Sequence, residues 1–249
     1  MCMGGKDDEI GTFRRLITES YPTGIVSIVS DTWDFWKVLT EFTVTLKDEI
    51  LNRQPDELGN AKVVFRPDSG DPVHIICGDP NAEPGSPEHK GAVECLWDVF
   101  GGTVTPKGYK LLDKHVGVIY GDSITLDRAV RILNGLEAKG FASGNIVFGI
   151  GSFTYQHVTR DSYGSAIKAT FGVVNGEDRI LFKEPKTDNG TKNSARGLLR
   201  VDKNEEGEFV LSEMVSREQE GGMLKTVFKD GDCKNFQSLS TIRACLLER

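Results

Sequence analysis

Four short apolar runs, each followed at once by small or charged residues, constrain the fold of this chain more than any other feature. Residues 24–31 read GIVSIVSD, 62–71 read KVVFRPDSGD, 116–123 read VGVIYGDS and 145–152 read NIVFGIGS. Continuous β-branched runs without polar alternation are typical of strands in parallel sheets, which are buried on both faces. The sequence therefore predicts a parallel sheet that is covered on both sides.

Amphipathic helical patterns lie between these runs. Residues 32–53 and 86–102 carry apolar side chains at helical spacing. Residues 123–141 have the same spacing, with one predicted apolar face made of Leu126, Val130, Leu133 and Leu136. Strands that alternate with helices predict βα units around a parallel sheet or an α/β barrel.

The pattern changes after residue 165. Alternating polar and apolar segments follow, with turn signals at Asn175-Gly176, at residues 204–207 and at Asp230-Gly231, and then a short C-terminal helix. We therefore predict two parts. Residues 1–165 form an α/β barrel portion that carries a ligand site, and residues 166–249 form an antiparallel β appendage.

Composition argues against several classes of function. The net charge of -7 argues against a protein that wraps nucleic acid around its whole surface, because phosphate groups are repelled by excess negative charge. No apolar run approaches the roughly 20 residues that a membrane span requires. The five cysteines are scattered without a C-x-x-C pair, which is typical of reduced thiols and provides no zinc-ligand spacing. We expect a cytoplasmic protein without a nucleic-acid or membrane partner.

The four strand ends suit a phosphorylated sugar. Ligands of parallel α/β folds bind at the carboxyl ends of the strands. Arginine binds phosphate through two hydrogen bonds, glycine lets backbone N–H groups approach an anion, and carboxylates suit ribose hydroxyls or Mg²⁺ on a pyrophosphate. The candidate groups are Ser27, Ser30, Asp31, Arg66, Asp68, Ser69, Gly121, Asp122, Ser123, Gly149, Gly151 and Ser152.

Structural explanations compete with ligand binding at single positions. Asp31 and Asp122 each precede a predicted helix, and a helix cap is the preferred interpretation for either residue alone. The pair Arg66 and Asp68 is different, because burying these charges at a strand end is costly unless a ligand or a network compensates. For this pair we favour a ligand-binding role.

Four ordered motifs carry a resemblance to a known family. RPDSGDP (66–72), YGDSIT (120–125), VFGIGSFTYQHVTRD (147–161) and VVNGEDRILFKEP (173–185) together resemble the nicotinamide phosphoribosyltransferase family. The likeness covers nearly the whole chain. It implies an irregular α/β barrel and active sites at a homodimer interface. It also implies transfer of the phosphoribosyl group of 5-phosphoribosyl-1-pyrophosphate to nicotinamide, a step of NAD salvage.

The resemblance implies catalytic roles for three residues. Arg66 and Asp68, with Pro67 between them, would lie between nicotinamide and the pyrophosphate or ribose. Arg66, together with Mg²⁺ carried by the substrate, would stabilise the charge of the departing pyrophosphate. Asp31 and Ser27 would line the floor of the site near the base.

The resemblance also implies contacts with the sugar phosphate. Gly121 and Asp122 would hold the ribose hydroxyls, and the backbone of Gly151 and Ser152 would bind the 5′-phosphate. Glycine is the usual residue of the family at position 152. The remaining candidates on the phosphate side are Arg160, Lys168, Lys183 and the loop around Lys192.

Length separates this chain from the family. Members are about twice as long and carry a Glu-His-Ser motif shortly before the segment that corresponds to Gly5-Lys6, whereas no histidine precedes His74 here. We expect a C-terminal half that works as a homodimer, with the N-terminal half of such an enzyme, or both. The alternatives are a non-catalytic phosphoribosyl-binding or interaction module, and nicotinate as the base. A sugar-phosphate aldolase or isomerase ranks last, because no lysine follows a strand.

Overall fold

The structure is a computed structural model that describes residues 4–158, 162, 166–188, 190 and 193–247. The strands are β1 (Val26–Val29), β2 (Val63–Arg66), β3 (Gly102–Val104), β4 (Lys110–Leu112), β5 (Val116–Tyr120), β6 (Ile146–Phe148), β7 (Phe171–Val174), β8 (Glu177–Ile180), β9 (Arg200–Lys203), β10 (Phe209–Ser212), β11 (Gly221–Gly222), β12 (Phe228–Lys229) and β13 (Asp232–Cys233). The α-helices are α1 (Glu9–Arg15), α2 (Phe35–Lys37), α3 (Thr43–Thr45), α4 (Lys47–Leu51), α5 (Pro72–Cys77), α6 (Pro87–Lys90), α7 (Ala92–Phe100), α8 (Leu126–Ala138), α9 (Ser152–Gln156) and α10 (Leu239–Leu247). Residues Leu16–Ser20 and Val38–Phe42 are π-helical, and Ser143–Asn145 form a 3-10 helix.

The four apolar runs form one parallel sheet in the order β1-β2-β5-β6. Val26 lies opposite Val63, which lies opposite Val116, and Val118 lies opposite Ile146. The carboxyl ends of the four strands therefore meet at one edge of the sheet. The predicted parallel sheet is confirmed.

Described residues bury one face of this sheet and the opposite face only in part, so the prediction of burial on both faces was wrong. The alternate positions Ser27, Val64, Ile119 and Val147 share the opposite face, and Val147 keeps 57% of its surface exposed. A continuous apolar run indicates that a strand is buried, but it does not show which elements cover each face of the sheet. The covered face belongs to the hydrophobic core and includes Val26, Ile28, Val63, Phe65, Val116, Val118, Tyr120 and Ile146.

Helix α8 is present where predicted, but only part of the predicted apolar face is buried. Ile132 and Leu136 lie in the core, whereas Leu126 and Val130 are 81% and 46% exposed. Apolar residues occur on more than one side of this helix, and packing against α5 selects the side of Ile132, whose carbonyl accepts a hydrogen bond from Cys77. Sequence spacing alone cannot make that choice.

Neither strand-end carboxylate caps the helix that follows it. Helix α2 is capped by Asp34, which accepts a hydrogen bond from the amide of Lys37. Helix α8 is capped by Thr125. The preferred interpretation of Asp31 and Asp122 as caps was therefore wrong, because the residue three positions further along the chain provides the acceptor for each helix.

The second part contains the predicted hairpins. Strands β7 and β8, β9 and β10, and β12 and β13 pair antiparallel. Asn175-Gly176 and Asp230-Gly231 have the positive φ angles that two-residue hairpin turns require. One pairing departs from the prediction, since β11 runs parallel to β9. Strands of the described residues form five open sheets and no closed barrel; the boundary at residues 165 and 166 stays a prediction.

Arg53 connects the segment after α1 to the start of β1 through hydrogen bonds. Its side chain is buried and donates hydrogen bonds to the carbonyls of Ile17, Tyr21, Thr23 and Gly24. These carbonyls lie where the chain leaves the α1 region and enters β1, so one guanidinium supplies hydrogen-bond donors to four backbone acceptors along this connection. Separately, no helix among the described residues has the length and apolar character of a membrane span.

Candidate functional site

Asp31 is the centre of the strand-end site. Its carboxylate is fully buried. Oδ2 accepts hydrogen bonds from the amide of Asp68 at 2.8 Å and from the hydroxyl of Ser69 at 2.5 Å. Oδ1 has no hydrogen-bond partner among the described residues, and Lys183 Nζ lies 3.6 Å from it. Asp31 thus joins the end of β1 to the turn after β2.

The RPDSGDP segment divides into two parts with different tasks. Asp71 caps α5 by accepting from the amides of Val73 and His74, and Pro72 occupies the first turn of that helix. Gly70 has a φ angle of +83°, which favours glycine. Residues 70–72 are therefore explained by turn and helix geometry, while residues 66–69 are not.

Arg66 lies on the open face of the sheet. It pairs in register with Val29, and its side chain is 46% exposed, with Nη2 3.8 Å from Oδ1 of Asp68. Burial of this ion pair was the reason to favour a ligand-binding role, and that reason was wrong, because both groups keep contact with solvent. What remains is position: Arg66 and Ser27 share the open face, next to the buried Asp31 network.

Tyr120 is a site residue that sequence reasoning missed. It is fully buried at the end of β5, and its hydroxyl donates to the backbone carbonyls of Ser69 at 3.2 Å and Gly70 at 2.9 Å. Burial raises the pKa of Tyr120, and the carboxylates of Asp122, Asp31 and Asp68 act in the same direction. The phenol therefore stays protonated and holds the turn as a donor. Its place beside Gly121 in YGDS was the available signal.

The ends of β5 and β6 approach each other through glycines. A methyl group on Gly149 would lie 2.7 Å from the Cα of Gly121, so only glycine fits there. The Gly149 amide donates to the carbonyl of Tyr120 at 2.8 Å. Asp122 is half-buried at this edge, and Gly151 immediately precedes α9, which begins at Ser152. The backbone of these predicted sugar-phosphate contacts thus lies beside the β5 end.

Residues 181–188, here called the strap, cross the strand ends from the second part of the chain. The amides of Glu184 and Lys186 donate to the carbonyls of Thr32 and Trp33. Lys183 approaches Asp31, as described above, and the Thr187 hydroxyl lies 2.5 Å from that of Ser69. Lys183 was predicted at the site, whereas nothing in the local sequence signals Thr187.

The remaining residues predicted to contact phosphate are Lys168, Arg160 and Lys192, and the structure does not place them beside Asp31. Lys168 Nζ donates to the carbonyl of Asn193, 3.1 Å away, in the second part of the chain. Arg160 and Lys192 lie outside the described residues. No group of three or more histidine, cysteine or acidic side chains suited to a metal ion occurs within the described ranges.

Glu9 is a second buried carboxyl close to this site. It is 4% exposed, and its Oε1 has no hydrogen-bond partner in the described part of the chain. Burial raises the pKa of Glu9 from 4.5 to about 7; Asp34 and Asp31 add to this rise, and Lys37 opposes it. The Glu9 carboxyl therefore ionises near neutral pH.

This titration predicts a loss of stability as pH rises. Between pH 4.5 and 7 the unfolded state has released the Glu9 proton while the folded state keeps it. The free energy of unfolding should therefore fall with pH across this window, by about 3 kcal/mol in total. Urea unfolding of wild type and Glu9→Gln from pH 4.5 to 8 measures the effect. The variant should lack this decrease, and parallel curves for the two proteins would contradict the prediction.

Known proteins that are similar to this chain belong to the family that the four motifs resemble. The model of the nicotinate phosphoribosyltransferase (NAPRTase) family matches residues 1–232. Nicotinamide phosphoribosyltransferase of Acinetobacter baylyi is 62% identical over all of this chain and 49% of its own length. The proteins of that name from Mycoplasma pneumoniae and Xanthomonas campestris are 40% and 35% identical over 79% of this chain, and over 42% and 38% of their own lengths.

The chain thus spans about half the length of the curated relatives it matches. The resemblance inferred from the four motifs is confirmed by both the family model and these relatives. The chain belongs to the nicotinate phosphoribosyltransferase family.

Proposed function

We propose that this chain forms the phosphoribosyl-pyrophosphate side of an enzyme that makes nicotinamide mononucleotide in NAD salvage. The observation that carries the proposal is the Asp31–Ser69–Asp68 network, which joins two strand ends directly beside Arg66. Relatives that share up to 62% identity are named nicotinamide phosphoribosyltransferases, which supports this substrate pair.

The exposed guanidinium of Arg66 suits the leaving group of this reaction. The bond between C1 of the ribose and pyrophosphate breaks, its electron pair leaves with pyrophosphate, and the ring nitrogen of nicotinamide supplies the pair for the new bond to C1. No proton has to move, so positioning and charge stabilisation are the tasks left to the protein. Arg66 binds the departing pyrophosphate, and Asp122 orients the ribose. Mg²⁺ enters bound to pyrophosphate and neutralises part of its charge.

The sheet face that described residues leave partly exposed supports an α/β barrel that is completed by further strands. Val147 and Ile25 are each 57% exposed, although they belong to the apolar strand segments. Parallel sheets with a bare apolar face are rare because βα units normally cover both sides. In the proposal, the remainder of a family-length enzyme closes this face, Ser27 and Arg66 then line its interior, and Gly151, Ser152, Arg160 and Lys168 bind phosphate, the last two across a homodimer.

Nucleotide synthesis tests the proposal. The purified chain is mixed with nicotinamide, phosphoribosyl pyrophosphate and Mg²⁺, alone and with the separately produced part of the Acinetobacter baylyi relative that this chain does not match. Nicotinamide mononucleotide should form in the complemented mixture and disappear with Arg66→Ala, while Arg243→Ala on the exposed side of α10 serves as the control.

The outcomes separate the competing functions. Product from the chain alone would exclude a non-catalytic module. Absence of product from the complemented mixture, with binding of phosphoribosyl pyrophosphate retained, would favour the non-catalytic binding module over the enzyme. A parallel reaction with nicotinate decides the base, and faster turnover of nicotinate would overturn the choice of nicotinamide.

A further inference from the structure

We infer that Thr187 is a positioning residue that sets the orientation of Asp31 through the hydroxyl of Ser69. The hydrogen-bond chain follows from the geometry alone, whereas its effect on catalysis rests on the proposed function. Thr187 Oγ1 lies 2.5 Å from Ser69 Oγ, which lies 2.5 Å from Asp31 Oδ2. Thr187 is 118 residues from Ser69 in sequence, so only the tertiary fold joins them.

Proton accounting gives this chain of hydrogen bonds a direction. A serine hydroxyl has one proton to donate and can accept others. Because the carboxylate of Asp31 can only accept, the Ser69 proton points to Oδ2. The hydroxyl of Thr187 must then be the donor to Ser69. Ser69 is fully buried, so water does not compete at its hydroxyl. Donation by Thr187 polarises the Ser69 hydroxyl and strengthens its bond to the carboxylate.

The strap also approaches the other oxygen of the same carboxylate. Lys183 Nζ lies 3.6 Å from Oδ1, while Thr187 acts on Oδ2 through Ser69. Two backbone hydrogen bonds, from Glu184 to Thr32 and from Lys186 to Trp33, hold the strap between these two side chains. Asp31 is therefore clamped from both sides by one short segment.

The turn after β2 is shaped to admit Thr187. A methyl group on Gly70 would lie 2.8 Å from the Thr187 carbonyl oxygen, so the strap can approach this closely only over a glycine. The same turn donates the Asp68 amide to Asp31 and borders Arg66. A change in the Thr187 hydroxyl should consequently reach Asp68 and Arg66, which the proposed reaction uses.

Hydrogen exchange of the Asp68 amide tests the inference without any substrate. Thr187→Val keeps the shape of the side chain and removes the donor, whereas Thr187→Ser keeps the donor. Exchange of the Asp68 amide should rise about fivefold to tenfold in Thr187→Val, the factor expected for one weakened hydrogen bond, and stay within about twofold in Thr187→Ser. The Val26 amide, bonded to the Lys62 carbonyl at the far end of β1, reports global opening.

A double-mutant cycle isolates the relay. In the Ser69→Ala background the acceptor of Thr187 is absent, so Thr187→Val should add no further change at Asp68. Equal exchange in wild type and Thr187→Val, equal increases in the valine and serine variants, a matching increase at Val26, or an undiminished effect in Ser69→Ala would each overturn the inference.

Activity gives a separate readout in the complemented reaction. Thr187→Val should lower kcat for nucleotide synthesis by about tenfold with little change in KM, and Thr187→Ser should restore it. If wild type forms no nucleotide, the proposed function fails while the exchange result still decides the relay. If wild type is active and both variants match it although Asp68 exchange rises, the positioning role in catalysis is overturned.

Discussion

Replacing Arg66 with alanine should weaken the binding of phosphoribosyl pyrophosphate by about 30- to 100-fold or more. The guanidinium is the predicted partner of the pyrophosphate, and it lies on the open sheet face with its side chain 46% exposed, free to form two parallel hydrogen bonds. Losing a charge-assisted contact of this kind costs about 2–3 kcal/mol. Isothermal titration with the Mg²⁺ complex of the substrate measures the change.

Two variants make the result specific to Arg66. Arg66→Lys keeps the charge but not the planar fork, so it should recover only part of the affinity. Arg243→Ala changes the net charge by the same amount on an exposed position of α10 and should leave affinity within about twofold. Unchanged affinity in Arg66→Ala would remove Arg66 from the site.

Replacing Arg53 with alanine should lower the free energy of unfolding by about 3–5 kcal/mol. The side chain is 5% exposed and supplies the donors for four backbone carbonyls, three of which lie 2.7–3.2 Å away. Each unpaired buried acceptor costs about 1–3 kcal/mol, reduced where water enters the space left by the side chain. Domains of ordinary stability have only about 5–15 kcal/mol to lose.

Urea unfolding monitored by tryptophan fluorescence measures this loss. Arg53→Lys should recover less than half of it, because a single ammonium cannot reach carbonyls that the two ends of a guanidinium satisfy. Exposed Arg15, at the end of α1, provides the control, and its alanine variant should change stability by less than about 0.5 kcal/mol. A loss below about 1 kcal/mol in Arg53→Ala would show that the four carbonyls find other partners.

Several elements could be predicted because their determinants are local. The β-branched runs form strands, and Asn175-Gly176 forms a hairpin turn, because short segments carry these preferences in their own φ, ψ and side-chain spacing. The buried side of α8 could be predicted only in part. Leu136 belongs both to the predicted face and to the core, but the side that packs against α5 also includes Ile132, and spacing alone did not select that residue.

The strand-end site shows the same division. Its location followed from parallel strands, and Asp31, Arg66 and Lys183 were predicted to belong to it. Their relations were not predictable: the helix caps are Asp34 and Thr125, and the carboxylate of Asp31 is held instead by the turn after β2. A side chain that can cap a helix can equally accept from a distant amide, and the distances decide between them.

The sequence alone was sufficient to predict the four parallel strands, the candidate ligand groups at their carboxyl ends, the hairpins of the second part and the family to which the chain belongs. The tertiary structure was needed to show that described residues bury one sheet face only in part, that the Tyr120 hydroxyl holds the turn after β2, and that Thr187 lies beside Ser69, 118 residues away in sequence. The physical reason is range. Backbone preferences and apolar spacing act within a few residues, whereas burial and hydrogen-bond partners depend on which segments the folded chain brings into contact.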